Sequence, residues 1–165
     1  ASNGDSVVCI DSTNSRVAGV FWTQDIASTP QLDDSSVDNL PCITPVIEII
    51  DKVSEEYTTL RPNLQEGECA DLWMLGVNPA YRRRGIAANL TIVARDWAVR
   101  KGYKYVILKS SGAYSAMCAS RAGMKVVASA VYSEKNPIFE GIPEEHSVLR
   151  LWEVESCDVS TTSTL

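Results

Sequence analysis

Hydrophobic residues follow two different spacings along the first 60 positions of the chain. Residues 7–10 and 16–25 are rich in apolar and β-branched residues and flank the polar run 11–15, which predicts an antiparallel hairpin. Prolines, aspartates and serines without periodicity follow over residues 27–44, a pattern typical of a long surface loop. From Thr44 onward, apolar residues recur three and four positions apart behind a Thr-Pro start, and this spacing predicts a helix with one apolar face.

The middle of the chain has the pattern of a strand, a helix and a second strand. The apolar run 72–77 predicts a buried strand that ends at Asn78. A helix is predicted over residues 85–100. Its apolar face comprises Ile86, Leu90, Val93 and Trp97. Residues 105–108 are apolar without alternation, as in a strand that is covered on both faces and runs parallel to its predecessor.

A shorter helix over residues 113–122 and strands over 125–132 and 147–154 complete the predicted elements. This order of strands and helices predicts an α+β fold with a mixed central β-sheet flanked by helices. A chain of 165 residues has room for one such domain with a real core. We expect the domain to span residues 1–157 and a flexible tail to cover 158–165.

The charge balance and the cysteines narrow the class of protein. The chain has 15 Lys and Arg against 21 Asp and Glu, which disfavours a nucleic-acid partner and suits a cationic small molecule. No apolar run is long enough to span a bilayer and no export signal is evident, so a membrane partner is not expected. The five cysteines include no Cys-x-x-Cys pair, which indicates neither a disulfide framework nor a metal site and favours a reducing, cytoplasmic setting.

The segment that joins strand 72–77 to the next helix carries the strongest chemical signal. It contains the run Arg82-Arg83-Arg84-Gly85-Ile86-Ala87. N–H groups in the first turn of a helix have no partner within the helix, and the helix dipole adds partial positive charge there. Three arginines in that turn oppose the dipole unless an anion is bound. We therefore predict a pyrophosphate site, with a solvated basic turn as the alternative.

This run resembles the acetyl-CoA signature Gln/Arg-x-x-Gly-x-Gly/Ala of the GNAT superfamily of N-acetyltransferases, in its expected strand-to-helix context. Within that superfamily the chain is most similar to the insect-type arylalkylamine or dopamine N-acetyltransferases, through residues 75–82 and 110–116. The resemblance covers residues 7–155. It implies the GNAT fold, a splayed βαβ site and acetyl-CoA as the cosubstrate.

The resemblance also implies which residues bind the cosubstrate. The backbone of residues 75–77 would hold the pantetheine arm and residues 82–87 the pyrophosphate, so that the thioester lies between two splaying strands. These cofactor-binding residues are Leu75, Gly76, Val77, Arg82, Arg83, Arg84, Gly85, Ile86 and Ala87. The implied reaction is direct attack of a neutral primary amine on the thioester, with backbone N–H groups near residues 75–77 stabilising the oxyanion.

Such a reaction needs a general base, because an amine is mostly protonated at neutral pH. In the insect-type relatives a glutamate ahead of the hairpin is the base, but this chain begins at what resembles the family's second strand. The first strand and first two helices thus have no counterpart, and we expect the chain to be a fragment. A separate N-terminal fragment of the same protein and a naturally truncated protein are the alternatives.

Ser110, Ser111 and Ser115 match the serines that assist catalysis in those relatives, and they are the candidate catalytic residues. The serine region is longer here than in the relatives, so its register stays open, and Ser111 is equally well placed to cap the next helix. Ala119 stands where many GNAT enzymes have the tyrosine that protonates the departing thiolate, and Tyr114 is only a weak substitute.

Four further residues have side chains that could take part in chemistry. Glu68 and Asp71 precede the motif strand, where they either border the acceptor site or form a solvated strand end, and we favour the second. His146, the only histidine, is predicted to lie at the surface within an acidic stretch. Cys118 is interpreted as a small buried thiol rather than a nucleophile.

Together these patterns predict an enzyme that moves an acetyl group from acetyl-CoA to the primary amine of a small molecule, with an arylalkylamine as the first choice. A polyamine, an amino acid or a protein amine is an alternative acceptor, since acceptor specificity lies largely in the missing segment. A CoA-binding protein without turnover is the third alternative, because the base and the usual tyrosine are missing. Fold alone does not fix the substrate.

Overall fold

The computed structural model describes residues 6–28, 44–132 and 137–159. Within these ranges the strands and α-helices are β1 (Ser6–Asp11), β2 (Arg16–Asp25), α1 (Thr44–Leu60), β3 (Cys69–Val77), α2 (Ile86–Lys101), β4 (Tyr105–Ser110), α3 (Ala113–Arg121), β5 (Lys125–Val131) and β6 (Val148–Glu155). This order of elements is the predicted one, although β3 begins earlier than the apolar pattern indicated. None of the helices in these ranges is long and apolar enough to cross a membrane.

The strands form a six-stranded sheet in the order β1-β2-β3-β4-β6-β5. Strands β3 and β4 run parallel, and the other neighbours pair antiparallel. Helix α2 makes the crossover between the parallel pair, as a βαβ unit requires. The prediction of an α+β fold with a mixed sheet is therefore confirmed.

Helix α1 covers the β5 and β6 part of one face of the sheet. Its apolar stripe, Ile49, Val53 and Tyr57, is buried against the sheet, as the helical spacing predicted. The Tyr57 hydroxyl donates to Glu153 at 2.6 Å, and Arg61 donates to the same carboxylate at 3.1 and 2.8 Å. Burial raises the pKa of Tyr57, so this hydroxyl remains a donor and fastens α1 to β6.

Helices α2 and α3 lie on the opposite face, over a core that includes Phe21 and Leu72. The buried residues of α2 are Ala88, Leu90, Thr91, Ala94 and Ala98. The predicted face was wrong at Val93, which is 45% exposed. Small residues let this helix lie very close to the sheet, since a Cβ on Gly19 would come within 2.9 Å of the Leu90 side chain.

Two predicted segments fall largely outside the described ranges. The predicted surface loop 27–44 includes residues 29–43, which the structure does not describe. Of the predicted tail 158–165, only Asp158 and Val159 are described. Asp158 ends a 3₁₀ turn and pairs with Lys125 at 3.3 Å.

Candidate active site

The two parallel strands separate at their carboxyl ends. Residues 69–72 of β3 pair with residues 105–108 of β4, but β3 continues to Val77 and β4 to Ser110 without further pairing between them. The carboxyl ends of two parallel strands thus open like a V in the middle of the sheet. Main-chain N–H and C=O groups on the inner edges of this opening are left for another partner, because strand groups normally bond to a neighbouring strand.

A bulge in β3 lies where the opening begins. Trp22 of β2 pairs with Met74, whereas the next residue, Thr23, pairs with Leu72. Trp73 is therefore an extra residue without a partner on β2. A β-bulge of this kind bends the strand and increases its twist, which carries the end of β3 away from β4.

A pocket of about 410 Å³ occupies the space between the separated strand ends. It is lined by Leu75, Val77, Ala87, Ser111, Gly112, Tyr114, Ser115, Cys118 and His146. The walls are thus the end of β3, the start of α2 and the amino end of α3. Five of the predicted site residues, Leu75, Val77, Ala87, Ser111 and Ser115, meet here.

The predicted anion site lies next to this pocket, between β3 and α2. Gly85 precedes the first helical residue with a φ of 76°, and a Cβ built on it would meet nothing within 4 Å. No side chain caps the helix at this position, so its first N–H groups face an open approach. The arrangement fits an anion at the start of α2.

The three arginines lie in the turn before α2 rather than in its first helical turn, because the helix begins only at Ile86. Arg82, Arg83 and Arg84 are exposed. Within residues 6–28, 44–132 and 137–159, none of them pairs with a carboxylate. Their positive charge therefore remains available beside the start of the helix. Of the other predicted cofactor residues, Gly76 is exposed and Ile86 packs against the core.

The candidate serines have different surroundings. Ser110 is fully buried, accepts a hydrogen bond from the Trp152 indole at 2.8 Å and donates to the Arg150 carbonyl at 3.5 Å. Ser111 is exposed and lines the pocket. Ser115 also lines the pocket, and its hydroxyl donates to the Gly112 carbonyl at 3.0 Å, which leaves its oxygen free to accept.

The cap of helix α3 is a histidine rather than the serine that sequence suggested. The residue at the N-cap position is Gly112, which offers no side chain. Nδ1 of His146 instead accepts the Ala113 N–H at 3.1 Å. A Cβ on Gly112 would lie 2.8 Å from the same nitrogen, so glycine is needed for the imidazole to approach this closely.

His146 is half-buried and lines the pocket, whereas the sequence predicted only a position at the surface. Because Nδ1 accepts a hydrogen bond, the proton of the neutral ring lies on Nε2, which makes the histidine a donor toward a ligand. The imidazole lies 5.5 Å from the Tyr114 ring, measured between centroids. No short-range sequence pattern predicts that His146 meets the start of α3, because this contact depends on β6 lying beside β4 in the sheet.

Three residues of α3 occupy positions that the sequence analysis considered for a nucleophile or an acid. Cys118 is buried, as predicted, and burial raises the pKa of its thiol, so it remains a poor nucleophile. Ala119 is fully buried in the core. Tyr114 is 76% exposed, and it is the tyrosine among the residues that line the pocket.

The two carboxylates considered for the acceptor site do not line the pocket. Glu68 lies before the amino end of β3, at the opposite end of the strand, and accepts the Gln65 N–H at 2.8 Å. Asp71 is not at a solvated strand end, because it is 2% exposed and pairs with Lys109 at 2.8 Å. Its other oxygen has no hydrogen-bond partner in the described part of the chain.

Comparison with known proteins finds a family model that matches the central part of the chain. Residues 47–119, which include β3, the arginine turn and the start of α3, match the model of the acetyltransferase (GNAT) family. Residues 47–119 therefore match a GNAT acetyltransferase domain. The GNAT match and the fold support an acyltransferase enzyme.

Solved structures with the same GNAT fold include insect enzymes. Arylalkylamine N-acetyltransferase 2 from Aedes aegypti superposes with a TM-score of 0.75 at 14% identity, over 92% of this chain and 73% of that one. The C-terminal condensation domain of Ebony gives 0.74 at 14% identity, over 92% and 72%. A polyamine N-acetyltransferase from Drosophila melanogaster gives 0.61 at 16% identity, over 92% and 74%. At such identities the likeness shows the fold alone, and no curated protein matches by sequence.

Proposed function

We propose that this GNAT domain transfers the acetyl group of acetyl-CoA to the primary amine of a small molecule, with an arylalkylamine as the first candidate. The observation that carries this proposal is the opening between β3 and β4, which places the pocket beside the start of α2. A thioester in the pocket and a pyrophosphate at the helix start are parts of one extended molecule. The resemblance to insect arylalkylamine N-acetyltransferases supports the choice of acceptor.

The chain offers suitable groups for each part of acetyl-CoA. The uncapped start of α2 would hold the pyrophosphate by main-chain N–H groups, and the exposed arginines Arg82, Arg83 and Arg84 would hold it by charge. The pantetheine arm would form hydrogen bonds with the inner edge of residues 75–77, where β4 no longer pairs with β3. The apolar side chains of Leu75, Val77 and Ala87 would contact its carbon chain.

In the proposed reaction, the neutral amine attacks the thioester carbonyl carbon. A new C–N bond forms, the C–S bond breaks, the nitrogen loses one proton and the departing sulfur gains one. Main-chain N–H groups near residues 75–77 would stabilise the oxyanion, since the bulged strand leaves them without a partner on β4. No metal is needed for this sequence of steps.

We assign Ser111 and Ser115 to the movement of the amine proton. Both line the pocket, and Ser115 keeps an accepting oxygen because its own proton is committed to Gly112. His146 contributes a donor, from Nε2, toward the departing sulfur or the acetyl oxygen, and not a base in this hydrogen-bonded form. The buried Ser110 holds the Trp152 indole by a hydrogen bond and does not line the pocket, so we assign it no contact with the substrate.

An assay of thiol release tests the proposal. The protein would be mixed with acetyl-CoA and, in turn, with an arylalkylamine, a polyamine and a lysine peptide, after its intact mass has been determined. We expect free CoA to appear fastest with the arylalkylamine. Fastest release with a polyamine would support the alternative acceptor, a reading favoured by the fold shared with the Drosophila polyamine enzyme. Binding of CoA without release of thiol would support a binding protein.

A further inference from the structure

The arginine turn is tied to the far end of the β1–β2 hairpin by one tyrosine. The Tyr81 hydroxyl donates to Oδ2 of Asp11 at 2.8 Å, across 70 positions of sequence. Asn14 in the hairpin turn donates to the Tyr81 oxygen at 3.2 Å and to the same Asp11 oxygen at 2.9 Å. The phenol thus bridges two parts of the chain that share no strand pairing at this point.

Asp11 is held as a fixed acceptor for this contact. Its Oδ1 accepts from the Thr13 N–H at 2.9 Å and from the Thr13 hydroxyl at 2.7 Å, which orients the carboxylate. These bonds from Thr13, together with the bonds from Tyr81 and Asn14, lower the pKa of Asp11 to about 2. The carboxylate is therefore ionised at any pH at which the protein would be assayed.

The turn that Tyr81 holds has an unfavourable backbone. Arg83 has a φ of 62° and Gly85 a φ of 76°, so two nearby residues are left-handed and one of them is not glycine. A non-glycine residue in this region persists only where its surroundings fix it. The guanidinium of Arg84 lies 5.3 Å from the centre of the Tyr81 ring and donates to the Ala80 carbonyl at 3.4 Å. Tyr81 therefore contacts both the hairpin and an arginine of the turn.

We propose that Tyr81 is a positioning residue, which preorganises the turn of residues 82–85 for the pyrophosphate by anchoring it to Asp11. This inference rests on the proposed binding of acetyl-CoA. Loss of the anchor removes neither the arginines nor the start of α2 from the chain, but it lets the turn of residues 82–85 sample other backbone conformations before binding. Affinity for the pyrophosphate-bearing ligand then falls, whereas the thioester pocket keeps its lining.

The test compares CoA with a ligand that lacks the pyrophosphate. Binding of CoA is measured by calorimetry for the wild type, Tyr81→Phe, Asp11→Asn and the double variant, and turnover is followed with acetyl-CoA and with S-acetylpantetheine. We expect about a tenfold weaker Kd for CoA in each single variant and no further loss in the double variant, as for two groups that act as one unit. The kcat/KM for S-acetylpantetheine should stay at the wild-type value.

Thr13→Ala is the matched control, because it removes only the hydroxyl bond to Asp11 Oδ1. The backbone N–H bond to Oδ1 and the bond from Tyr81 to Oδ2 stay in place. Its Kd for CoA should remain within twofold of wild type. Equal CoA affinity in Tyr81→Phe and the wild type would overturn the positioning role while the proposed function stands. Equal losses with CoA and S-acetylpantetheine would also overturn it, since they indicate general damage. A wild-type protein that binds no CoA would overturn both proposals.

Discussion

Nδ1 of His146 accepts the backbone N–H of Ala113, a residue 33 positions earlier in the chain, and so caps helix α3 from the turn that precedes β6. The contact exists because β6 lies beside β4, where Ser110 pairs with Arg150. Residues just beyond that pair therefore meet at the edge of the pocket. One side chain thus both caps the start of α3 and lines the pocket.

Replacing His146 with alanine should remove the cap and lower the free energy of unfolding by about 1 kcal/mol, the usual value of an N-cap. Urea denaturation measures this loss. His146→Asn is the matched variant, because an amide oxygen also accepts an N–H, and it should retain most of the stability. Both variants should lose turnover, since neither has the ring Nε2–H. A stable His146→Ala protein would show that the cap contributes nothing.

Substitution of Gly85 separates charge from backbone strain at the start of α2. Any L-residue is strained at a φ of 76°, so Gly85→Ala should weaken acetyl-CoA binding moderately. Gly85→Glu has the same backbone strain and adds a negative charge, and its affinity should be about tenfold lower again, or roughly 1.4 kcal/mol. Steady-state KM for acetyl-CoA is the measurement. Equal values for the two variants would contradict an anion at this position.

The pocket serines should differ from the buried serine in what their loss affects. Ser115→Ala should reduce kcat by about a hundredfold, the low end of the contribution of a positioned proton-transfer group, with the melting temperature unchanged. Ser120→Ala, an exposed position on the same helix, is the control and should behave as wild type. Ser110→Ala should instead lower the stability by about 1 kcal/mol, because the N–H of the partly buried Trp152 loses its acceptor. An unaffected kcat in Ser115→Ala would remove it from the mechanism.

The buried pair of Asp71 and Lys109 offers a test of the core beside the opening. Lys109→Met should destabilise the fold by about 3–5 kcal/mol, because it leaves a carboxylate that is 2% exposed without its cation. The double variant Lys109→Met, Asp71→Leu should recover much of that loss. Thermal unfolding of both proteins measures the difference. If the double variant is as unstable as the single one, the buried charge is not the cause.

Local signals in the sequence were sufficient to predict the order of the elements and the glycine turn before α2. The local signals were runs of apolar and β-branched residues, the Thr-Pro helix start at Thr44 and the glycine at position 85. Each spans only a few residues, so the sequence pattern predicts the corresponding element directly. The apolar face of α2 was partly wrong because side-chain size, not only hydropathy, decides how near a helix can lie. Val93 points outward while alanines face the sheet.

Contacts that depend on register were beyond the sequence. Tyr81 meets Asp11, His146 meets Ala113 and Lys109 meets Asp71 only because particular strands are neighbours in one alignment. A polar residue in such a contact has the same sequence surroundings as a solvated one. The family motifs therefore predicted five of the nine residues that line the pocket, but not His146 or the polar contacts that orient the site.

The unpaired Trp73 also determines which side chains become the pocket wall. Before it, Ala70 and Leu72 point toward the core under α2; after it, Leu75 does, so the inward positions change from even to odd numbers. Deleting this one residue would reverse the two faces of the strand end and turn Leu75 and Val77 away from the pocket. The number of residues between Leu72 and the end of β3 thus determines which side chains form the pocket wall. A single-residue deletion there would be more disruptive than replacement of any one wall residue.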